Sequence, residues 1–172
     1  MIALTGTPGT GKTAVAKELK KRGYKVVSVV EFARIHNCIL DEDEEGVVVD
    51  VERLAKFRFD GIVEGHLSHL ISPDLVIVLR CNPLVLRERL AGRGWDEEKI
   101  MENVEAELLD VILVEALGEC KNVYEIDTTH MSVVEVAGIV EEIAAGEKEK
   151  YEPGKIDWLS ELENELDNVV RF

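Results

Sequence analysis

The sequence predicts an α/β fold built on a parallel sheet with helices on both faces, and three observations carry that expectation. Short apolar runs at 2–5, 61–66 and 74–80 read as strands buried on both sides. Stretches with apolar residues at helical spacing alternate with them, which is the pattern that builds parallel sheets. The run Ile2-Ala3-Leu4-Thr5 feeds directly into Gly6-Thr7-Pro8-Gly9-Thr10-Gly11-Lys12-Thr13, and Ala14-Val15-Ala16-Lys17-Glu18-Leu19 then has helical spacing. That segment reads strand, loop, helix.

Strand, glycine-rich turn and helix form the context of a P-loop. Gly6, Gly9 and Gly11 reach backbone angles closed to other residues, so the loop can curl with its N–H groups turned toward phosphate oxygens. The helix that follows adds the positive end of its dipole at the same spot. In this pattern Lys12 reaches the β- and γ-phosphates as a point charge, and the Thr13 hydroxyl ligates a Mg²⁺ that bridges them. Nucleotide binding is the expected function class.

The remaining elements follow in order. The first helix should end near Arg22-Gly23; a short strand follows at 25–28, then a helix over 28–35 with Ser28 as cap and Glu31 three residues later. An acidic loop is expected at 41–45, an extended piece at 47–49 and a helix at 51–57 capped by Asp50. After the strands at 61–66 and 74–80, Pro83 opens a helix over 83–90, and a long helix runs from about 97 to 117. A fifth strand is expected at 123–127 and a closing helix at 132–145, then a charged linker at 146–150. The tail at 151–172 carries Trp158, Leu159, Leu162, Leu166, Val169 and Val170 at helical spacing, an amphipathic helix that either docks on the body or is offered to a partner. Ligands of such sheets bind beyond the carboxyl ends of the strands, where Gly6, Glu64, His66 and Arg80 should lie.

Composition bounds the possibilities further. A chain of 172 residues with 46% hydrophobic content fits one α/β domain with a substantial core. No run approaches the length of a membrane helix and no signal peptide is recognisable, so a cytoplasmic protein is expected, or a nuclear one in a eukaryotic cell. Cys38, Cys81 and Cys120 are too widely spaced for a zinc knuckle or a disulfide framework. A net charge of −15 repels a nucleic-acid backbone, which argues against direct DNA binding, and attracts a basic protein. A GTPase is disfavoured by the lack of an Asn-Lys-x-Asp motif.

Taken together, the P-loop, Ile62-Val63-Glu64-Gly65-His66, Arg89-Leu90-Ala91-Gly92-Arg93-Gly94-Trp95 with Lys99-Ile100 and Glu102-Asn103, and Pro153-Gly154-Lys155-Ile156-Asp157-Trp158 resemble the adenylate kinase isoenzyme 6 family. The resemblance covers most of the chain in the family's order. It implies a three-layer nucleoside-monophosphate-kinase fold with a five-stranded parallel sheet, a monophosphate-binding segment at 28–51 and a short lid at 92–102. It also implies adenylate kinase activity, ATP and AMP giving two ADP with Mg²⁺, combined with ATPase activity. A role in maturation of the small ribosomal subunit, with a basic ribosomal protein as partner, comes with it.

The resemblance carries roles for single residues. Gly9, Thr10, Gly11, Lys12, Thr13 and Ala14 would wrap the ATP phosphates, with Arg93 closing over them and Arg89 lying against the nucleotide. Arg34 would hold the phosphate of AMP, and Thr13 and Glu64 would hold Mg²⁺. The family more often has Asp, one methylene shorter, where this chain has Glu64. His66 matches a histidine tied to hydrolysis, placed to orient an attacking water. Lys12, Arg93, His66 and Glu64 are thus the catalytic candidates. The alternative is a P-loop kinase for another nucleoside monophosphate or a small metabolite, without a ribosomal role.

Overall fold

The computed structural model describes residues 1–44 and 46–170, without the side chains of 167 and 168. Glu45 of the expected acidic loop and the last two residues of the tail lie outside the described residues. In chain order the elements are β1 (Ile2–Gly6), α1 (Lys12–Lys21), β2 (Val26–Ser28), α2 (Val29–Ile35), β3 (Ile39–Glu42), β4 (Val47–Val49), α3 (Val51–Leu54) and β5 (Ile62–Glu64). They continue with β6 (Leu75–Arg80), α4 (Pro83–Ala91), α5 (Glu97–Leu108), α6 (Val111–Glu119), β7 (Val123–Asp127), α7 (Val133–Ala144) and α8 (Trp158–Glu161).

Five strands form one parallel sheet in the order β2-β5-β1-β6-β7. The chain moves outward from β1 to β2, returns through β5, then crosses to β6 on the other side. The reversal leaves a crevice at the carboxyl end of β1, and the phosphate loop fills it. Residues of every sheet strand are buried because both faces are covered. On one face Val15 and Leu19 of α1 meet Val136 and Val140 of α7 over Leu4, Ile77 and Ile126. On the other, Leu113 and Ala116 of α6 cover Ala3, Val76 and Val78.

The segment at 28–51 is built from α2 and an antiparallel hairpin, β3 with β4, packed on Val27 and Val63 through Phe32, Ala33 and Val49. Ser28 accepts a hydrogen bond from the Glu31 amide, and Asp50 caps α3 in the same way through Arg53. A further core lies beneath α4 and α5, where Leu86, Leu90, Ile100, Val104 and Leu108 enclose Trp158, Leu162 and Val169. The tail therefore docks on the body.

Four expectations are corrected. The acidic loop at 41–45 begins inside β3, which its charged, exposed residues do not advertise. The helix at 51–57 is only one turn, Val51–Leu54. The tail is a short α8 followed by 3₁₀ turns at Glu163–Asn168. The long helix at 97–117 is two helices, because Asp110 adopts the left-handed conformation, φ 56°.

α7 opens with a reciprocal capping box between Ser132 and Glu135. Replacing Ser132 by Ala should lower unfolding free energy by about 1 kcal/mol, read from the shift of a urea midpoint at unchanged slope.

Candidate functional site

The site starts from the backbone of the loop between β1 and α1. Gly6 and Gly9 have φ of +140° and +95°. A Cβ on Gly6 would lie 2.4 Å from the Leu79 carbonyl oxygen, and one on Gly9 would lie 2.7 Å from Leu86 Cδ1. Only glycine fits both the angle and the space. The loop is further cross-tied by Thr10, whose amide and hydroxyl donate to the Thr7 carbonyl at 3.2 and 2.8 Å.

Lys12 is buried and folds back on its own loop, donating to the carbonyl oxygens of Gly6 at 2.6 Å and Thr7 at 2.9 Å. Burial lowers its pKa to about 8 against the pull of Glu64 and Glu107, with Arg93 adding to the depression. The hydrogen bonds of this ammonium go to neutral carbonyls, with Glu64, Glu107 and Arg93 acting on it at longer range.

Two adjoining cavities share Gly9 and Gly11 as a common wall. The first, about 270 Å³, is lined by Pro8, Lys12, Thr13, Ala14, Glu64, Gly65, His66 and Arg93. The second, about 200 Å³, is lined by Thr10, Val15, Arg89, Thr128, Met131, Val133 and Val136. The first is polar and cationic. The second is mostly apolar.

Most of the candidates read from the sequence converge here. Arg89 bridges the two sides of the second cavity, donating to the Gly9 carbonyl at 3.4 Å and to those of Thr128 and Thr129 at 3.2 and 3.1 Å. Arg93 lies beyond the end of α4, in a turn where its amide bonds the Leu90 carbonyl, so it enters the first cavity from a loop and not from a helix face. Glu64 ends β5 beside the loop. Burial raises its pKa and Lys12 opposes that shift, and its carboxylate makes no hydrogen bond among the described residues. His66 is exposed to the cavity; desolvation first, then Lys12 and His69, lower its pKa, so the ring is neutral over most of the physiological range.

Arg34 is the exception. It lies in neither cavity and makes a two-pronged ion pair with Glu42 of β3, both side chains about half exposed. Arg80 also departs from expectation: it is buried and turned away from the ligand side, paired with Glu107, Glu125 and Asp110.

Two features escaped the reading of the sequence. Glu107 is buried on the apolar side of α5 among Ile100, Met101, Val104 and Leu108, and an acid at a helical core position was the available signal. His69 is buried with Nδ1 3.0 Å from the Thr5 hydroxyl and Nε2 3.1 Å from Glu115, and Thr5 also lies 3.3 Å from the His66 carbonyl oxygen. A lone histidine in a short loop gives no such signal.

Comparison with known proteins agrees with this geometry. A family model described as an AAA domain matches residues 2–110. A relative from Archaeoglobus fulgidus named "Putative adenylate kinase" is 62% identical over 175 residues, covering 99% of this chain and 98% of its own length. Relatives with the same name from Pyrococcus abyssi and Methanocaldococcus jannaschii are 46% and 45% identical, covering 100% and 91% of this chain and 98% and 92% of their own lengths. Among solved structures, shikimate kinase from Acinetobacter baumannii has a TM-score of 0.58 at 16% identity, covering 86% of this chain and 94% of its own. YorR of Bacillus subtilis, solved with phosphorylated GDP, has a TM-score of 0.55 at 19% identity, covering 85% of this chain and 96% of its own. These two likenesses concern the fold, a five-stranded parallel α/β architecture shared with P-loop kinases.

The depressed Lys12 pKa generates a pH prediction. An anion restores the charged form, so above pH of about 8 the bound state holds more protons than the empty one. ATP binding at pH 9 should therefore take up close to one proton, as measured calorimetrically in buffers of different ionisation enthalpy, and affinity should fall as pH rises through 8. Lys12→Arg, which does not titrate, should abolish the uptake; an equal uptake in that variant would assign the proton elsewhere.

Proposed function

The chain belongs to the family of these archaeal adenylate-kinase-like proteins, and on that premise we propose that it transfers the γ-phosphoryl group of ATP to AMP and, when AMP is absent, to water. The observation that carries this reading is the convergence of Lys12, Thr13, Glu64, His66 and Arg93 on one cavity, next to a second, apolar one crossed by Arg89. The triphosphate would lie in the first and the adenine side of the nucleotide in the second.

Phosphoryl transfer needs position and charge compensation more than covalent assistance. The amides of Gly9, Thr10, Gly11, Lys12, Thr13 and Ala14 would hold phosphate oxygens at the start of α1. Lys12 would leave the Gly6 and Thr7 carbonyls for the β- and γ-phosphates, and Arg93 would cover the transferred group from its loop. As the bond from the γ-phosphorus to the β-bridging oxygen breaks, a bond to an oxygen of AMP forms, and ADP leaves from each side.

Thr13 and Glu64 suit a hard divalent cation: both are oxygen donors on the same cavity, and Glu64 has a carboxylate not engaged elsewhere. Thr13 and Glu64 would hold Mg²⁺ there, and the ion would supply charge compensation for the phosphates.

His66, neutral and exposed to the cavity, would orient a water for hydrolysis. Arg34 would take the AMP phosphate after exchanging Glu42 for it. The finer membership, in the isoenzyme 6 family with its role in small-subunit maturation, is supported by the lid and Pro-Gly-x-Ile-Asp-Trp motifs of the sequence. A net charge of −15 supports a basic ribosomal protein as partner. The tail does not support being its hook, since Trp158, Leu162 and Val169 are buried against the body. A second reading, a kinase for another monophosphate or metabolite, is favoured by one observation, that Arg34 lies outside both cavities.

ADP formation from ATP and Mg²⁺, with and without each nucleoside monophosphate, decides between them. Stimulation by AMP alone is the expected result; indifference to all of them would leave an ATPase, and stimulation by another acceptor would select the second reading. Lys12→Met should abolish both activities. Arg34→Ala should raise KM for AMP tenfold or more with little change for ATP, and His66→Ala should slow hydrolysis more than AMP phosphorylation.

A further inference from the structure

Thr7 is the residue of the phosphate loop with both its polar groups turned away from the cavity. Its carbonyl receives Thr10 and Lys12, and its hydroxyl donates to Glu107 Oε2 at 2.6 Å. Glu107 belongs to α5, the helix that follows the Arg93 turn, and is 3% exposed. Its other oxygen accepts from Arg80 Nε at 2.8 Å, from the Cys81 amide at 3.1 Å and from Trp158 Nε1 at 3.2 Å.

A carboxylate behind an anion site works against the ligand unless its charge is cancelled and its geometry serves another purpose. Arg80 offsets part of that charge, shared with Glu125 and Asp110, and the nearby Lys12 ammonium offsets more. What remains is an acceptor engaged four times, whose hydrogen bond to the phosphate loop is the one from the Thr7 hydroxyl. The carbonyl of Thr7 is one of the two that hold Lys12, so a rotation of this residue would move the lysine and tilt the amides after it. Trp158 reaches the same carboxylate from the tail, which ties the C-terminal segment to the loop through two hydrogen bonds in series.

We propose that Glu107 is a positioning residue for the phosphate loop, acting through the Thr7 hydroxyl, and that Trp158 of the tail holds Glu107 in register for that task. The inference rests on the nucleotide-binding reading of the loop. It adds a link, from tail to α5 to loop, that none of the residues touching the cavities provides.

Thr7→Val cuts the link while keeping side-chain volume. It should raise the Kd of Mg·ATP about tenfold and leave KM for AMP within twofold, a split that the accompanying modest loss of stability, from an unpaired buried carboxylate oxygen, does not produce. Glu107→Gln should weaken ATP binding at least as much, and the pair combined should be no weaker than Glu107→Gln alone. Trp158→Phe, which loses the indole N–H donor together with part of the ring that fills the core, should raise the same Kd about threefold. Thr7→Val with a Kd within twofold of the parent, or losses that multiply in the double variant, would overturn the proposal. Should Glu107→Gln fail to fold, Thr7→Val and Trp158→Phe decide alone. Hydrogen exchange at the amides of Gly9 and Gly11 without nucleotide separates this from the functional reading: faster exchange in Thr7→Val supports the link even if the parent binds no ATP, and unchanged exchange in that case overturns it.

Discussion

A guanidinium buried at the end of β6 sets conditions that much of this molecule meets. Arg80 is 1% exposed, and an ion so far from water is tolerable only with close partners in good geometry. Glu107 comes from α5, Glu125 from β7 and Asp110 from between α5 and α6. Those carboxylates outnumber the cation, and the excess is met by N–H donors. Glu125 accepts from the amides of Gly154, Lys155 and Ile156 while Trp158 Nε1 reaches Glu107. The Pro-Gly-x-Ile-Asp-Trp segment is thus a set of donors for buried carboxylates, and its docking follows from electrostatics as much as from the apolar contacts of Trp158.

The same constraint accounts for a break that the local sequence announces only weakly. In Glu107-Leu108-Leu109-Asp110-Val111 the one weak local signal is Asp110, a poor interior helix former that tolerates the left-handed conformation it adopts here. An uninterrupted helix would carry Asp110 along its axis. The turn brings the carboxylate to Arg80 and starts α6 in a new direction, toward Ala3 and Val76. The backbone cost of that conformation, of order 1 kcal/mol or somewhat more, is small beside an under-compensated buried ion.

Legibility followed the range of the determining forces. The five sheet strands were readable because continuous apolar runs bounded by loops reflect burial on both faces, and the phosphate loop was readable because its glycines are demanded by local angles and close contacts at Gly6 and Gly9. β3 was not, since a short exposed hairpin strand with Asp41 and Glu42 carries no apolar pattern. Of the site residues, those next to the loop in space were found through the motif that contains or follows them. Arg80 and Glu107 were visible as charges at core positions, but which partners satisfy them is a property of the packed molecule. The surface is strongly acidic while the cavity gathers Lys12, Arg89 and Arg93, so the attraction for an anionic nucleotide is confined to the crevice and the rest of the surface repels it.

The chain of contacts from Trp158 through Glu107 to Thr7 also orders events in time. During synthesis the loop around Thr7 is made early, and the donor that completes the support behind it emerges only after residue 158 has been added. Until then Glu107 and Glu125 lack the N–H donors that the tail supplies. A chain that stopped short of residue 158 would carry the phosphate-loop motif while Glu107, behind Thr7, lacked the Trp158 donor.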